Sequence, residues 1–268
     1  MSTPMPPWAP GPKHWKITTA IAVGAVVIAA VSAGTSIYTA TKDQKDPTVR
    51  AIIDPPDWAN LPASKKPTSQ KNACSDKQNV FQGGWGPERP LFDAKVGTSY
   101  ATLNSVQNNP NIGDERGFYG IRESGTAGSW KRQISLERGK EYVIRAYINN
   151  ASDSKVAEGV RVMVNLPTCT GRSMVSSGIL TSENAYPLQV WGDIGISSPE
   201  PFNLAYVDDS ARLYGNYTGK KGRFVDSAFF TSRGALVGSR DLDGNVGPGY
   251  KNALYFTFLV RPQFAETD

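Results

Sequence analysis

Between Ile17 and Ala40 the chain carries no charged side chain. As a helix this stretch would be about 36 Å long, enough to cross a hydrocarbon core of about 30 Å. It divides the chain into a short tail, a candidate membrane anchor and a long remainder that must supply any folded domain. Residues 1–16 are rich in proline and cannot hold a helix, and Lys13, Trp15 and Lys16 form an interfacial pattern just before the apolar run. Lys42, Lys45 and Arg50 lie on the other side, so the positive charges of the two flanks nearly balance. An N-terminus in the cytoplasm is the expected orientation, because long downstream segments translocate largely regardless of charge. Val31-Ser32-Ala33 also fits a small-residue signal-peptidase site, which leaves secretion after cleavage as the alternative to an uncleaved anchor. Ala25, Ala29 and Ala33 recur at helix–helix spacing, although alanine is common in such segments.

Residues 41–84 read as a stalk. Asp54-Pro55-Pro56-Asp57, Pro62, Pro67 and Lys65-Lys66 interrupt any helical or strand period. As a flexible coil the segment would span roughly 35–40 Å, and about 145 Å if fully extended. Ala51-Ile52-Ile53 and Trp58 are its apolar exceptions, candidates for docking on something.

From Trp85 the pattern changes to period two. Val160, Val162, Val164 and Leu166 alternate with Arg161, Met163 and Asn165. Leu254, Phe256, Phe258 and Val260 alternate with Tyr255, Thr257 and Leu259, and Ile144, Ala146 and Ile148 share one face of the Glu141–Ile148 run. Alternation of this kind predicts strands with one buried face, as in an antiparallel sandwich. Arg138-Gly139-Lys140 separates the Trp130–Leu136 and Glu141–Ile148 runs and predicts a hairpin. Further strands are expected at Met174–Thr181, Val190–Ile196, Phe202–Val207 and Ala211–Tyr214. The expected fold class is all-β, an Ig-like antiparallel β-sandwich over residues 85–262, with 263–268 as a C-terminal tail.

Charge and rare residues narrow the function classes. Residues 1–87 hold nine Lys/Arg against five Asp/Glu, and residues 88–268 hold twenty against nineteen, so the excess positive charge sits in the tail and stalk. A nucleic-acid-binding domain concentrates that charge on itself, and no nucleic-acid partner is expected. The one histidine, His14, lies in the tail, which removes His-dependent catalysis from the domain. Cys74 and Cys169 suggest a disulfide if the domain is exported, with two unrelated buried thiols as the alternative. The bond would close a loop of about 95 residues and contribute roughly 4–5 kcal/mol on the chain-entropy model.

Two segments resemble signatures of an uncharacterised bacterial cell-surface β-sandwich family: Trp85-Gly86-Pro87-Glu88-Arg89, and Asn109-Pro110-Asn111-Ile112-Gly113-Asp114-Glu115-Arg116. Tyr147-Ile148-Asn149-Asn150, the Phe202–Val207 stretch and Leu242-Asp243-Gly244 extend the resemblance over roughly residues 85–262. It implies an exported β domain on an anchor or stalk and no particular activity. The sequence closes Phe264-Ala265-Glu266-Thr267-Asp268 without a sorting motif, so anchoring is expected from residues 17–40.

Several constellations are candidates for chemistry. Asp241, Asp243 and Asn245 offer oxygens at alternate positions, as calcium loops do, but Asp-Gly is also a strong turn dipeptide and no later bidentate Glu follows. Asp114 and Glu115 are a candidate carboxylate pair for glycan hydrolysis, and Asp208-Asp209 reads as a turn. Trp85, Trp130, Trp191 and Tyr186 are candidates either for a carbohydrate platform or for core packing. Gly113, Gly117 and Gly120 lack the strand-to-helix setting of a nucleotide loop. The expectation is a membrane-anchored extracytoplasmic module with a binding or structural role, with wall polymer or a surface protein as partner and no cofactor. A glycan hydrolase using a carboxylate pair is the alternative.

Overall fold

The computed structural model describes residues 52–53, 74–78 and 83–265. The anchor segment 17–40, the N-terminal tail and most of the stalk lie outside these residues. Among the described residues fourteen strands run in chain order: β1 Ile52–Ile53, β2 Cys74–Ser75, β3 Trp85–Gly86, β4 Gly97–Thr98, β5 Tyr119–Glu123, β6 Gln133–Ser135 and β7 Tyr142–Ile148, then β8 Arg161–Asn165, β9 Gly171–Thr181, β10 Gln189–Tyr206, β11 Arg212–Gly215, β12 Arg223–Phe224, β13 Ala235–Leu236 and β14 Leu254–Phe264. Helical structure among the described residues is confined to 3₁₀ turns of three or four residues. The fold is all-β and largely antiparallel.

The strands group into two sandwich-like layers joined through the longest ones. In one layer β5 pairs with β7, β7 with β14, and β14 with β11 and β12 beyond it. In the other, β13, β8, β9 and the first half of β10 follow in order. After Ser197 the β9–β10 register shifts, Phe202 makes the last pairing with β9 at Gly171, and residues Phe202 to Tyr206 of β10 pair with β14. Pro199 and Pro201 sit at that break. Neither has an N–H to give to a ladder, so the strand changes partners where pairing is cheapest to interrupt.

The period-two pattern decides what faces inward. Ile144 lies opposite Ile121 on β5 and Phe258 on β14, and Ala146 opposite Tyr119 and Phe256. From the other layer Val162, Leu180, Val190, Ile194 and Ile196 join the same buried apolar cluster. Phe229, held by a 3₁₀ turn that Asp226 caps, fills the end beside Phe256 at 5.0 Å and Phe258 at 5.4 Å between ring centroids.

Four expectations change. The Arg138–Gly139 turn forms, with Gly139 at φ 77°, but β6 and β7 do not make a hairpin. Instead β6 runs parallel to β10, and Lys131, just ahead of β6, bridges to Ile121 on β5. A local turn signal says where the chain reverses, not which neighbour the strand finds. The runs expected at Val190–Ile196 and Phe202–Val207 are joined in one strand, Gln189–Tyr206, which stops one residue short of Val207. Part of the segment read as stalk, 41–84, enters the sheets: β1 pairs in parallel with β4, and β2 pairs with β9. The last strand also runs on to Phe264, past residue 262.

Candidate functional site

Every residue of β7 is buried, including those that point away from the core. On that outward face stand Arg145 and Tyr147, with Gly120 directly opposite Arg145 on β5 and Tyr255 directly opposite Tyr147 on β14. Arg122 shares the face, two residues from Gly120. The chain ahead of β6 covers this surface with Trp130. Its ring lies over both guanidiniums, 4.6 Å from Arg122 and 4.3 Å from Arg145. Gly120 makes this possible, because a Cβ there would stand 3.2 Å from the Cβ of Trp130.

Beside Trp130 opens a groove of about 580 Å³ lined in part by Trp85, Asp114, Arg116, Arg132 and Arg145. Its other wall joins the two segments that carry the family resemblance. Trp85 belongs to the first and Arg116 to the second, and the guanidinium of Arg116 lies 4.3 Å over the Trp85 ring. Arg116 is held flat by Asp114, whose Oδ2 accepts from Nε at 2.9 Å while Oδ1 accepts from the Arg116 backbone N–H. Partial burial opposes ionisation of Asp114, but the hydrogen bonds from Arg116 outweigh it and keep the carboxyl below its ordinary value. Arg132 also lines the groove and donates to the Gly83 carbonyl.

Glu115, next to Asp114, points the opposite way and is completely buried. Its Oε2 accepts from the Val106 backbone N–H at 3.0 Å, and its Oε1 accepts from Asn109 Nδ2 at 2.6 Å and Asn149 Nδ2 at 2.8 Å. Burial pushes its carboxyl up to about 7 against the pull of those donors. Asn109 shapes the same loop: its Oδ1 accepts from the Asn111 N–H, its backbone exchanges hydrogen bonds with Gly113, and Nδ2 reaches Tyr147 Oη at 2.9 Å. Arg89, also buried, donates from Nη2 to the Asn104 carbonyl at 2.7 Å, while Asn104 Nδ2 donates to the Tyr147 carbonyl at 2.8 Å. Burial lowers the Arg89 guanidinium to about 10. This polar core fixes the loop that carries Asp114 and Arg116, and so sets the groove wall.

The candidate residues fall into separate places. Asp114 and Glu115 are adjacent in sequence, but one is clamped by Arg116 and the other is sealed inside the loop; a glycosidase needs both on one sugar-sized cleft. Asp241 Oδ1 accepts from the Leu242 N–H, and Asp243 accepts from both the backbone and side chain of Asn245. Gly244 follows at φ 84°, the left-handed geometry that a turn glycine supplies. Asp208 and Asp209 lie in the turn between β10 and β11, with Asp209 at φ 56°. Of the four aromatics, Trp85 and Trp130 meet at the groove. Trp191 packs where a Cβ on Gly86 would lie 2.6 Å from its ring, and Tyr186, 41% exposed, stands edge-on to Tyr100. Cys74 and Cys169 are bonded, S–S 2.01 Å, which ties β2 to the loop preceding β9.

Sequence reasoning missed Arg122, Arg132 and Arg145. The signal open to the sequence was at Arg145, a cation between Ile144 and Ala146 in the otherwise uncharged run Tyr142–Ile148. Comparison of the chain with known protein families, curated proteins and solved structures finds no match.

Proposed function

We propose that this chain is a membrane-anchored extracytoplasmic module, an Ig-like β-sandwich that binds an envelope component through the groove between Trp85 and Trp130. The observation that carries the reading is the groove itself. Its wall is made where the two signature segments meet, and the buried Glu115 network holds that wall in one geometry. A preformed cleft of a few hundred Å³ with aromatic sides and a few placed polar groups is the usual form of a ligand site. The uncharged Ile17–Ala40 stretch supports anchoring, and the resemblance to bacterial surface domains supports an exterior location. Wall polymer is the expected partner.

The test uses the full-length protein in cells. It should fractionate with membranes, and protease added after removal of any outer wall should take off the β domain. Purified in nonionic detergent, the full chain should be retained on isolated wall polymer, and Trp85→Ala should reduce retention. A full-length protein that stays in the aqueous fraction would sink the anchor. Equal retention of wild type and Trp85→Ala would sink the groove.

A further inference from the structure

Arg145 is only 6% exposed, yet its side chain lines the groove. Its guanidinium rests between rings, 4.3 Å from the Trp130 centroid and 5.6 Å from that of Tyr255. Among the described residues no carboxylate pairs with it, and its Nε has no hydrogen-bond partner. Arg122 repeats the pattern on the same face: Nη1 donates to the Gly128 carbonyl at 3.0 Å, while Nε and Nη2 are unpartnered. Aromatic faces offset part of the cost of taking a cation out of water, but a buried charge ordinarily finds an opposite charge as well. The acid among the groove's lining residues, Asp114, is already engaged by Arg116. Burial lowers the Arg145 guanidinium to about 10, which leaves it charged at neutral pH.

We propose that the groove receives an oxyanion, a carboxylate or a phosphate carried by an acidic polyhydroxylated polymer, with Arg145 as the buried cation and Arg132 lining the same groove. This rests on the binding reading above and names the chemistry of its ligand. A guanidinium presents N–H donors in a fork that matches both oxyanions. The stacked rings fix the orientation of that fork before any ligand arrives, so little ordering is left to bind. The polymer is favoured over a bare ion by the groove's volume of about 580 Å³ and by its lining, which includes the half-buried Trp85 and Trp130 together with Asn111 and Ser129.

The experiment titrates the full-length chain in nonionic detergent with polygalacturonate, with poly(glycerol phosphate) and with neutral dextran, read by tryptophan fluorescence and calorimetry. At least one anionic polymer should bind, and dextran should not. Response to polygalacturonate alone assigns a carboxylate, and response to poly(glycerol phosphate) alone assigns a phosphate. Arg145→Met should weaken binding roughly 10- to 100-fold, as loss of charge-assisted hydrogen bonds predicts, and Arg132→Gln should weaken it less. Ligand-free Arg145→Met should melt no lower than wild type, because removing an unpaired buried ion relieves a cost. If it does melt lower, salt decides: affinity for the anionic polymer that is unchanged between about 0.05 and about 0.5 M NaCl overturns the proposal. Binding of dextran that Arg145→Met leaves intact overturns the anion while sparing the groove. No binding of either anionic polymer, with retention on isolated wall polymer still dependent on Trp85, overturns the anion alone; loss of that dependence removes both.

Discussion

Asn149 Nδ2 donates to Glu115 Oε1 at 2.8 Å, joining the residue just past β7 to the 3₁₀ turn at Glu115–Gly117. A loop that sequence patterning leaves without regular structure is thereby attached to a central strand through one buried carboxylate. The attachment makes the groove wall sensitive to what happens at Glu115.

The first prediction follows from its titration. Burial raises the Glu115 carboxyl from 4.5 to about 7 in the fold. The folded state therefore holds this proton more tightly than the unfolded chain, and the resulting stabilisation is complete below about 4.5 and lost as pH rises through about 7. Thermal or urea melts across that window should show stability falling by up to a few kcal/mol, and Glu115→Gln should flatten this part of the profile. Glu115→Gln should also cost about 1–3 kcal/mol, since its amide must set a donor against at least one of the N–H groups now bonded to the carboxylate. A wild-type profile that is flat from pH 4.5 to 7 would show that the three donors outweigh burial.

Tyr119 makes a second, independent prediction. Its ring crosses from β5 to the other layer and lies on Gly178, where a Cβ would come within 2.3 Å of Cδ2, while its hydroxyl meets Ser176 Oγ at 2.9 Å. Gly178→Ala should destabilise by about 1–3 kcal/mol through overpacking, and the cost should shrink in a Tyr119→Ala background. Equal costs in both backgrounds, from urea midpoints, would mean that the glycine is required for another reason.

The Cys74–Cys169 bond ties the segment read as stalk to the sheet. Non-reducing mass spectrometry of protein isolated with thiols blocked should yield the linked peptides, and Cys74→Ser should lower stability by about 2–5 kcal/mol. Recovery of two alkylatable thiols from exported protein would contradict it.

Calcium tests the Asp241–Asn245 loop. With Asp243 spent on Asn245 and Asp241 on the Leu242 N–H, the loop has few oxygens left to turn inward, whereas calcium takes six to eight. The melting midpoint of the full chain should be the same in chelator and in millimolar calcium. A rise of several degrees that disappears in Asp241→Ala would identify a ligand loop.

Alternation is a property that a strand carries along its own length, so Leu254, Phe256, Phe258 and Val260 marked their buried face without knowledge of their neighbours. The same holds for Val162 and Val164, and for the turns at Gly139 and Gly244, where one residue's backbone freedom decides the geometry. Partner choice is different, because a strand edge offers the same N–H and C=O groups to any neighbour. The parallel β6–β10 pairing, the joining of two expected strands into β10 and the docking of β2 onto β9 were settled only by packing. The groove belongs to this second class. Trp85 and Arg116, or Trp130 and Arg145, are ordinary residues apart, and only the closing of two layers and a buried carboxylate bring them to one wall. Sequence by itself determined which faces are apolar and where the chain turns. The tertiary structure decided that an arginine on a fully buried strand would open onto a cleft, because burial of both faces of β7 depends on what the rest of the chain lays over it.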